Sequence, residues 1–445
     1  MRYTQLTDPN VSTMLEAIGV ESIDSLFEPV PDRIRIRGEL GVPRGLSEME
    51  LLADARALAA RNHDCGELIC FLGGGAYDHF IPSVVDAMAG KGEFLTAYTP
   101  YQAEASQGIL QLFYEFQTMI ARLTGMEVAN ASLYECASAV AEAVIMAAGL
   151  TRRRRALVAA SGHPDVGRVL ATYALQQDLE IVVVPSPDGV VDEPALMDQM
   201  NDQVAAVVIQ SPNYFGGIER LDRIIPRVHE HGALAIVSTD PIACGVLKLP
   251  GAFGADIVVG EGQALGIPLQ YGGPYLGLLA CREKYLRKMP GRVVGMTSDS
   301  QGRRGFCLTL QTREQHIKRE RATSNICTNQ GLLAIRAAVY LAAMGRRGVA
   351  DAAKQCFDKS HYLAGEIAQL DGYSLRFDAP FFKEFVVRCE RGVAAALQAC
   401  RDRGILGGVA LGPFDDRLAD CLLIAATEKR TRKEMDDLVG ALRSV

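Results

Sequence analysis

The 445-residue sequence has no Trp, no C-x-x-C pair, no H-E-x-x-H and no apolar run near the roughly 20 residues needed to span a bilayer. The missing tryptophan decides nothing. Its 11 cysteines are odd in number and scattered, which excludes a disulfide framework or a zinc ribbon and points to a reducing compartment. The 7 histidines show no close Cys/His spacing, so no metal centre is expected; His229 and His231 beside Gly232 read as solvated residues at a helix end. Basic charge is not in excess: 46 Lys and Arg against 53 Asp and Glu leave a formal net charge of −7, without the field of a duplex-DNA binder. Nucleic acid is therefore not an expected partner, and neither is a membrane. The start, Met1-Arg-Tyr-Thr-Gln-Leu-Thr-Asp8, carries no apolar signal core, and the chain reads as cytoplasmic. What is present is the balance of a globular enzyme, 49% apolar and 22% charged, with length for roughly two to three domains.

Residues 1–90 read as a helical and extended arm, with Ser47-Glu-Met-Glu50 as a capping box before the periodic Leu51, Leu52, Ala55, Leu58 and Ala59. A helical stretch is expected from Phe94 to Met126. Short apolar strands then alternate with helices: Ala156 to Ala160, Ile181 to Pro185, Val204 to Gln210, Ala233 to Ser238, Ile257 to Gly260 and Leu276 to Ala280. That alternation predicts a large α/β domain over 91–330, built on a mostly parallel sheet covered on both faces. Thr328 is expected to cap a helix beginning at Asn329, and residues 331–445 read as a smaller α+β domain. Its strands are expected near Tyr373 to Phe377, Phe385 to Cys389 and Cys421 to Ala425, with a last helix over Arg432 to Leu442. The Arg152 to Arg155 run reads as a solvated helix end.

Gly73-Gly-Gly75 fails as a dinucleotide fingerprint, because Asp78 stands where the third glycine belongs; a turn admitting positive φ is expected instead. No P-loop and no G-x-S-x-G occurs. The remaining geometry is that of aminotransferase-like, type I pyridoxal-phosphate enzymes. There a carboxylate at a strand end pairs with the pyridine nitrogen, and a Lys some twenty to thirty residues later forms the Schiff base. Asp240 ends the strand from Ala233, but Gln263 stands at the turn where the Lys is expected, and its amide cannot form an imine. Lys248 is only eight residues past Asp240 and reads as a surface residue.

Several runs carry a specific resemblance: Tyr98-Thr-Pro-Tyr-Gln-Ala-Glu104 with Ser106-Gln-Gly108, Asn130-Ala-Ser-Leu133, Tyr271-Gly-Gly-Pro274, Met289-Pro-Gly-Arg292, Gln311-Thr-Arg-Glu-Gln-His316 and Ala322-Thr-Ser-Asn-Ile-Cys-Thr328. Together with Met14-Leu-Glu-Ala-Ile-Gly-Val20, they resemble in order the N-terminal half of the P-protein, the glycine decarboxylase of the glycine cleavage system. The length resembles the separate first subunit of the two-subunit form. The resemblance implies a second P-protein subunit that carries the Schiff-base Lys and the pyridoxal 5'-phosphate, with the active site where the two chains meet. It also implies that glycine is decarboxylated there and its aminomethyl group passed to the lipoyl arm of the H-protein. The run Tyr134-Glu-Cys136 departs from the family's acidic-then-glycine pattern, and a Cys at that helix start argues against a phosphate cradle in this chain.

On this reading Tyr98, Tyr101, Gln102 and Glu104 contribute to the partner's catalytic site, with Gln107 hydrogen-bonded at the interface. Thr323, Ser324 and Asn325 reach its cofactor phosphate, and Asp240 is a relic carboxylate held by local hydrogen bonds. The same residues admit plainer roles: the tyrosines as packing between layers, the polar residues of 102–107 as solvated or capping, and Thr323 to Asn325 as a turn before a helix. Two other functions stay open, a self-sufficient type I enzyme such as an aminotransferase or desulfurase, and a non-catalytic scaffold subunit.

Overall fold

The computed structural model describes residues 6–36, 38, 40–175 and 177–445, which fall into two units, 1–63 and 64–445. In the first unit, capping boxes open the helices Asp8–Ile18 and Glu48–Ala59. The Ser47 N–H donates to the Glu50 carboxylate at 2.8 Å, satisfying a donor that the helix leaves unpaired. None of this unit's described residues is buried. Apolar side chains such as Met14, Ile18, Leu26, Phe27 and Leu51 stay exposed.

In the second unit the six strands expected between Ala156 and Ala280 all form, each within one residue of its expected ends. They are Arg155–Ala159, Glu180–Val184, Val204–Gln210, Leu234–Thr239, Ile257–Glu261 and Gly277–Cys281. With Val128–Ala129 they make one seven-stranded sheet. The four pairings from Glu180–Val184 across to Ile257–Glu261 are parallel, and Gly277–Cys281 runs antiparallel to both of its neighbours. Alternation along a strand sends successive side chains to opposite faces. Val207, Ile209 and Val237 accordingly join a core under the helices Gln107–Thr124 and Leu221–Glu230, while Ala206, Val208 and Ile236 pack against the Ala- and Val-rich helix Cys136–Thr151. Burial on both faces is why these strands read as unbroken apolar runs.

A second sheet of four antiparallel strands joins Tyr373–Leu375, Glu384–Cys389, Cys421–Ala425 and Val409–Ala410 in that spatial order. The helices Val393–Arg401 and Arg432–Arg443 cover it. Two expected helix limits are corrected. The stretch from Phe94 is interrupted after Gly92–Leu95 and resumes only at Gln107, because Pro100 lacks the N–H that a helix needs and biases its predecessor away from helical geometry. The long helix begins at Gly331, not Asn329, and Thr328 does not cap it. Asn329 is held outside the helix, its amide donating to the Ala131 carbonyl at 2.6 Å. Among the described residues no helix is long and apolar enough to cross a membrane.

Candidate functional site

The carboxyl ends of the parallel strands open onto a cavity of about 460 Å³, where ligands bind in open α/β sheets. Ser238, Thr239 and Asp240 come from one strand end and Glu261 from the next. The helix start at Cys136 and the loop at Tyr77 supply other walls, and Lys383 and Glu384 enter from the small sheet. The expected turn at Gly73-Gly-Gly75 lies here, with φ of +75° at Gly74 and +111° at Gly75. A Cβ at Gly73 would stand 2.1 Å from a Glu384 carboxylate oxygen, so glycine is required there by close approach.

Asp240 is not held by local bonds alone. The Ile242 N–H donates to it at 2.8 Å, and the Lys383 ammonium pairs with its other oxygen at 2.7 Å. Burial alone would raise the Asp240 carboxyl, but Lys383 wins and holds it below its ordinary range. Lys383 is itself only 2% exposed; it donates to His79 Nε2 at 2.9 Å and lies over the Tyr77 ring. An ammonium can only donate, so His79 Nε2 accepts, and Nδ1 carries the proton toward Glu428 at 2.7 Å. Cys356 donates to the same Glu428 oxygen at 3.3 Å. His79, Cys356 and Glu428 are near enough to share a cation. Yet both His79 nitrogens are engaged and an ammonium adjoins the ring, so the cluster is the end of a buried hydrogen-bond chain.

Gln263 is 2% exposed and acts as a strut. Its Oε1 accepts the Tyr77 N–H at 2.8 Å, while Nε2 donates to the carbonyls of Tyr77 (3.1 Å) and Ile267 (2.7 Å). The start of the helix Cys136–Thr151 is equally committed. The Cys136 N–H donates to Glu261 at 3.1 Å, and those of Ala137 and Ser138 to Glu135 at 2.6 and 3.0 Å. Glu135 is thus the helix cap. Burial pushes the Glu261 carboxyl up to about 7, against hydrogen bonds from three backbone N–H groups. Lys248 is exposed, as expected, with its ammonium over the Phe253 ring.

Tyr101 and three of the other motifs come together at a second cleft. Tyr98 is 82% exposed and Tyr101 49%, so neither is packed inside this chain's own core. The Tyr101 hydroxyl accepts from Arg292 at 3.3 Å, and its ring meets His316 edge-on at 5.8 Å. Arg292 also bonds Asn329 at 3.2 Å and faces Glu314 at 3.9 Å. Arg292, Arg313, Lys318, Thr323 and Ser324 line one small cleft of about 60 Å³, which brings three of the sequence motifs together. Thr323 and Asn325 are exposed. Ser324 is turned inward, accepting from the Ile326 N–H at 3.1 Å and bonding the buried Glu142. Gln102 and Glu104 are exposed, with no side-chain bond among the described residues. Gln107 bonds within this chain to both the N–H and the carbonyl of Phe306, on the strand Arg304–Thr309. Sequence reasoning missed Lys383, Glu384, His79 and Glu428. A signal existed in two charged residues inside the apolar run Phe381-Phe-Lys-Glu-Phe-Val-Val387.

Solved structures define the class. A sphingosine-1-phosphate lyase of Burkholderia pseudomallei aligns with a TM-score of 0.67 at 17% identity over 93% of this chain and 94% of that one. A C-DES variant with glycine covalently linked to its pyridoxal-phosphate cofactor aligns at 0.62 and 16%, over 86% and 99%. The fold is that of the type I pyridoxal-phosphate enzymes. A crystal structure of glycine decarboxylase (P-protein) of the glycine cleavage system, in inhibitor-bound form, aligns over the whole of both chains with a TM-score of 0.93 and 40% identity. The family "Glycine cleavage system P-protein" matches residues 1–442. The probable glycine dehydrogenase (decarboxylating) subunit 1 of Desulforamulus reducens is 48% identical over the full length of both chains. Its counterpart in Geobacillus thermodenitrificans is 49% identical over 99% of this chain and 98% of that one. The chain belongs to the glycine cleavage system P-protein family.

The fold implies pyridoxal phosphate, and the residues of this chain's cavity do not fit it. The carboxylate for the ring nitrogen is paired with Lys383, and the helix-start N–H groups that would hold a phosphate are bonded to Glu135 and Glu261. Gln263, at the turn where the strand-end spacing leads one to expect the imine-forming Lys, carries an amide that cannot form an imine.

Proposed function

We propose that this chain is the lysine-less subunit of a two-chain glycine dehydrogenase of the decarboxylating type, and that a second P-protein subunit holds the pyridoxal phosphate through its own Lys. The observation that carries this reading is Gln263, buried at the turn after Ile257–Glu261 with its amide fully committed to Tyr77 and Ile267. The substrate is glycine, and the acceptor of the aminomethyl group is the lipoyl arm of the H-protein. The cofactor would supply, in the partner, an electron sink for the pair left when the carboxylate departs.

This chain's part is positioning. Decarboxylation depends on how the carboxylate is oriented, and a phenol from a neighbouring subunit can fix it by a hydrogen bond. Tyr98 and Tyr101 suit that role because both are exposed and not buried in this chain's own core, and Tyr101 lies beside the cationic Arg292. Thr323, which lines the same cleft, and the exposed Asn325 two residues on are proposed to meet the partner's cofactor phosphate, and the exposed Gln102 and Glu104 to contribute to the partner's catalytic site. The first unit supports assembly as well: it buries none of its described residues yet exposes many apolar ones, and obligate interfaces above roughly 2,000 Å² cover such surface.

Reconstitution tests the reading. Exchange of carbon dioxide with the glycine carboxyl should require both subunits, and borohydride reduction should place the only pyridoxyl label on the second one. A stoichiometric label on this chain, or full exchange without it, would overturn the assignment.

A further inference from the structure

We propose that the cavity at the strand ends is closed to phosphorylated pyridines by this chain's own Glu135, Glu261 and Lys383, so that cofactor loading is confined to the partner. This deepens the lysine-less reading and rests on it for the partner's role, while the cavity's chemistry stands on its own.

Volume is not the obstacle, since about 460 Å³ lies within the ordinary range for small-molecule sites. Charge and hydrogen bonding are. A helix start binds phosphate through unpaired N–H groups, and here the first three, of Cys136, Ala137 and Ser138, already donate to carboxyl oxygens of Glu261 and Glu135. An incoming phosphate would have to displace both side chains, and Glu384 adds a third carboxyl to the cavity lining.

No free cation compensates among the described residues of the lining. Lys383 is paired with Asp240, and Arg168 with Asp165 at 3.1 Å. His163 accepts from the Asp165 N–H through Nδ1 and donates to the Gly74 carbonyl through Nε2 at 2.8 Å, which fixes the neutral ring. At the other end of a bound pyridine, a ring N–H seeking Asp240 would face the Lys383 ammonium. Nor can Lys383 replace the missing imine lysine. Its nitrogen sits 2.7 Å from the carboxylate that marks the ring-nitrogen end, and the aldehyde lies across the ring from that nitrogen.

Pyridoxamine 5'-phosphate needs no lysine and is the probe. Equilibrium dialysis against the purified chain should show no saturable binding up to about 1 mM, with pyridoxamine as the phosphate-free control. The double variant Glu135→Ala, Glu261→Gln should bind one equivalent at least tenfold more tightly than the parent, and pyridoxamine should gain nothing. Melting curves show whether that variant is folded. If it is not, Glu135→Gln, which keeps a capping oxygen without the charge, takes its place and should bind at least threefold more tightly than the parent. Saturable binding by the parent, or a folded variant with no gain, overturns the proposal. Failure of the lysine-less reading is distinguishable, because it appears as a borohydride-fixed pyridoxyl-lysine on this chain when pyridoxal phosphate is supplied.

Discussion

Replacing Gln263 with Met isolates what its amide does, since Met keeps the length and most of the volume but removes both polar ends. Three hydrogen bonds are lost, and their loss is unequal. The Tyr77 carbonyl keeps another donor, the His79 N–H at 3.0 Å. The Tyr77 N–H and the Ile267 carbonyl lose the amide and stay buried. An orphaned buried group costs roughly 1–3 kcal/mol, so the pair should cost about 3 kcal/mol. At roughly 2.1 cal/mol/K per residue, a unit of about 380 residues should melt about 4 °C lower. Gln263→Lys should lose at least as much, because its ammonium cannot accept from the Tyr77 N–H and would be buried without a carboxylate partner. Melting curves of both variants provide the check, with exchange activity measured in the reconstituted complex below the transition, where the Met variant should keep the parent rate. A Met variant melting within 1 °C of the parent would refute the strut, and a slow but fully stable one would put Gln263 in the chemistry.

Three further outcomes follow from the same structure. Lys383→Met leaves Asp240 as an unpaired buried carboxylate and should cost about 3–5 kcal/mol by denaturant unfolding, while adding Asp240→Asn should recover much of that loss. Burial raises the Glu142 carboxyl from its ordinary 4.5 to about 7 against a bond from Ser324; its contribution to stability is therefore complete below about pH 4.5 and lost as pH rises through 7. Glu142→Gln should remove that dependence and, at 1.36 kcal/mol per pKa unit, stabilise the chain by up to about 3 kcal/mol at pH 8 relative to the parent. Tyr98→Phe and Tyr101→Phe remove exposed hydroxyls and should leave the melting temperature unchanged while slowing exchange by about ten- to a thousandfold, the scale for one positioned donor. Parent rates in both would remove the tyrosines from the site.

What the sequence shows and hides follows from the range of each interaction. The strands were legible because burial on both faces leaves a local mark, an unbroken apolar run such as Val204 to Gln210. Asp240 and Gln263 were legible because their chemistry is tied to strand ends at known spacing. The partner of Asp240 was not, since Lys383 comes from the small sheet and the His79 it also contacts is 304 residues away. Periodicity speaks only about neighbours along an element. At the helix start the sequence marks Cys136 as a departure from glycine, whereas the preceding Glu135 is the residue whose carboxylate takes the Ala137 and Ser138 N–H groups. Tyr98 and Tyr101 read either way in sequence because a tyrosine serves packing and hydrogen bonding equally well; the structure adds that they lie outside this chain's own core. A charged pair such as Lys383 and Glu384 inside an apolar strand is the mark that does survive in sequence. Burying it is costly unless distant groups satisfy it, and for Glu384 those groups are the Tyr77 hydroxyl, which donates to it at 2.7 Å, and the Gly74 N–H at 2.6 Å.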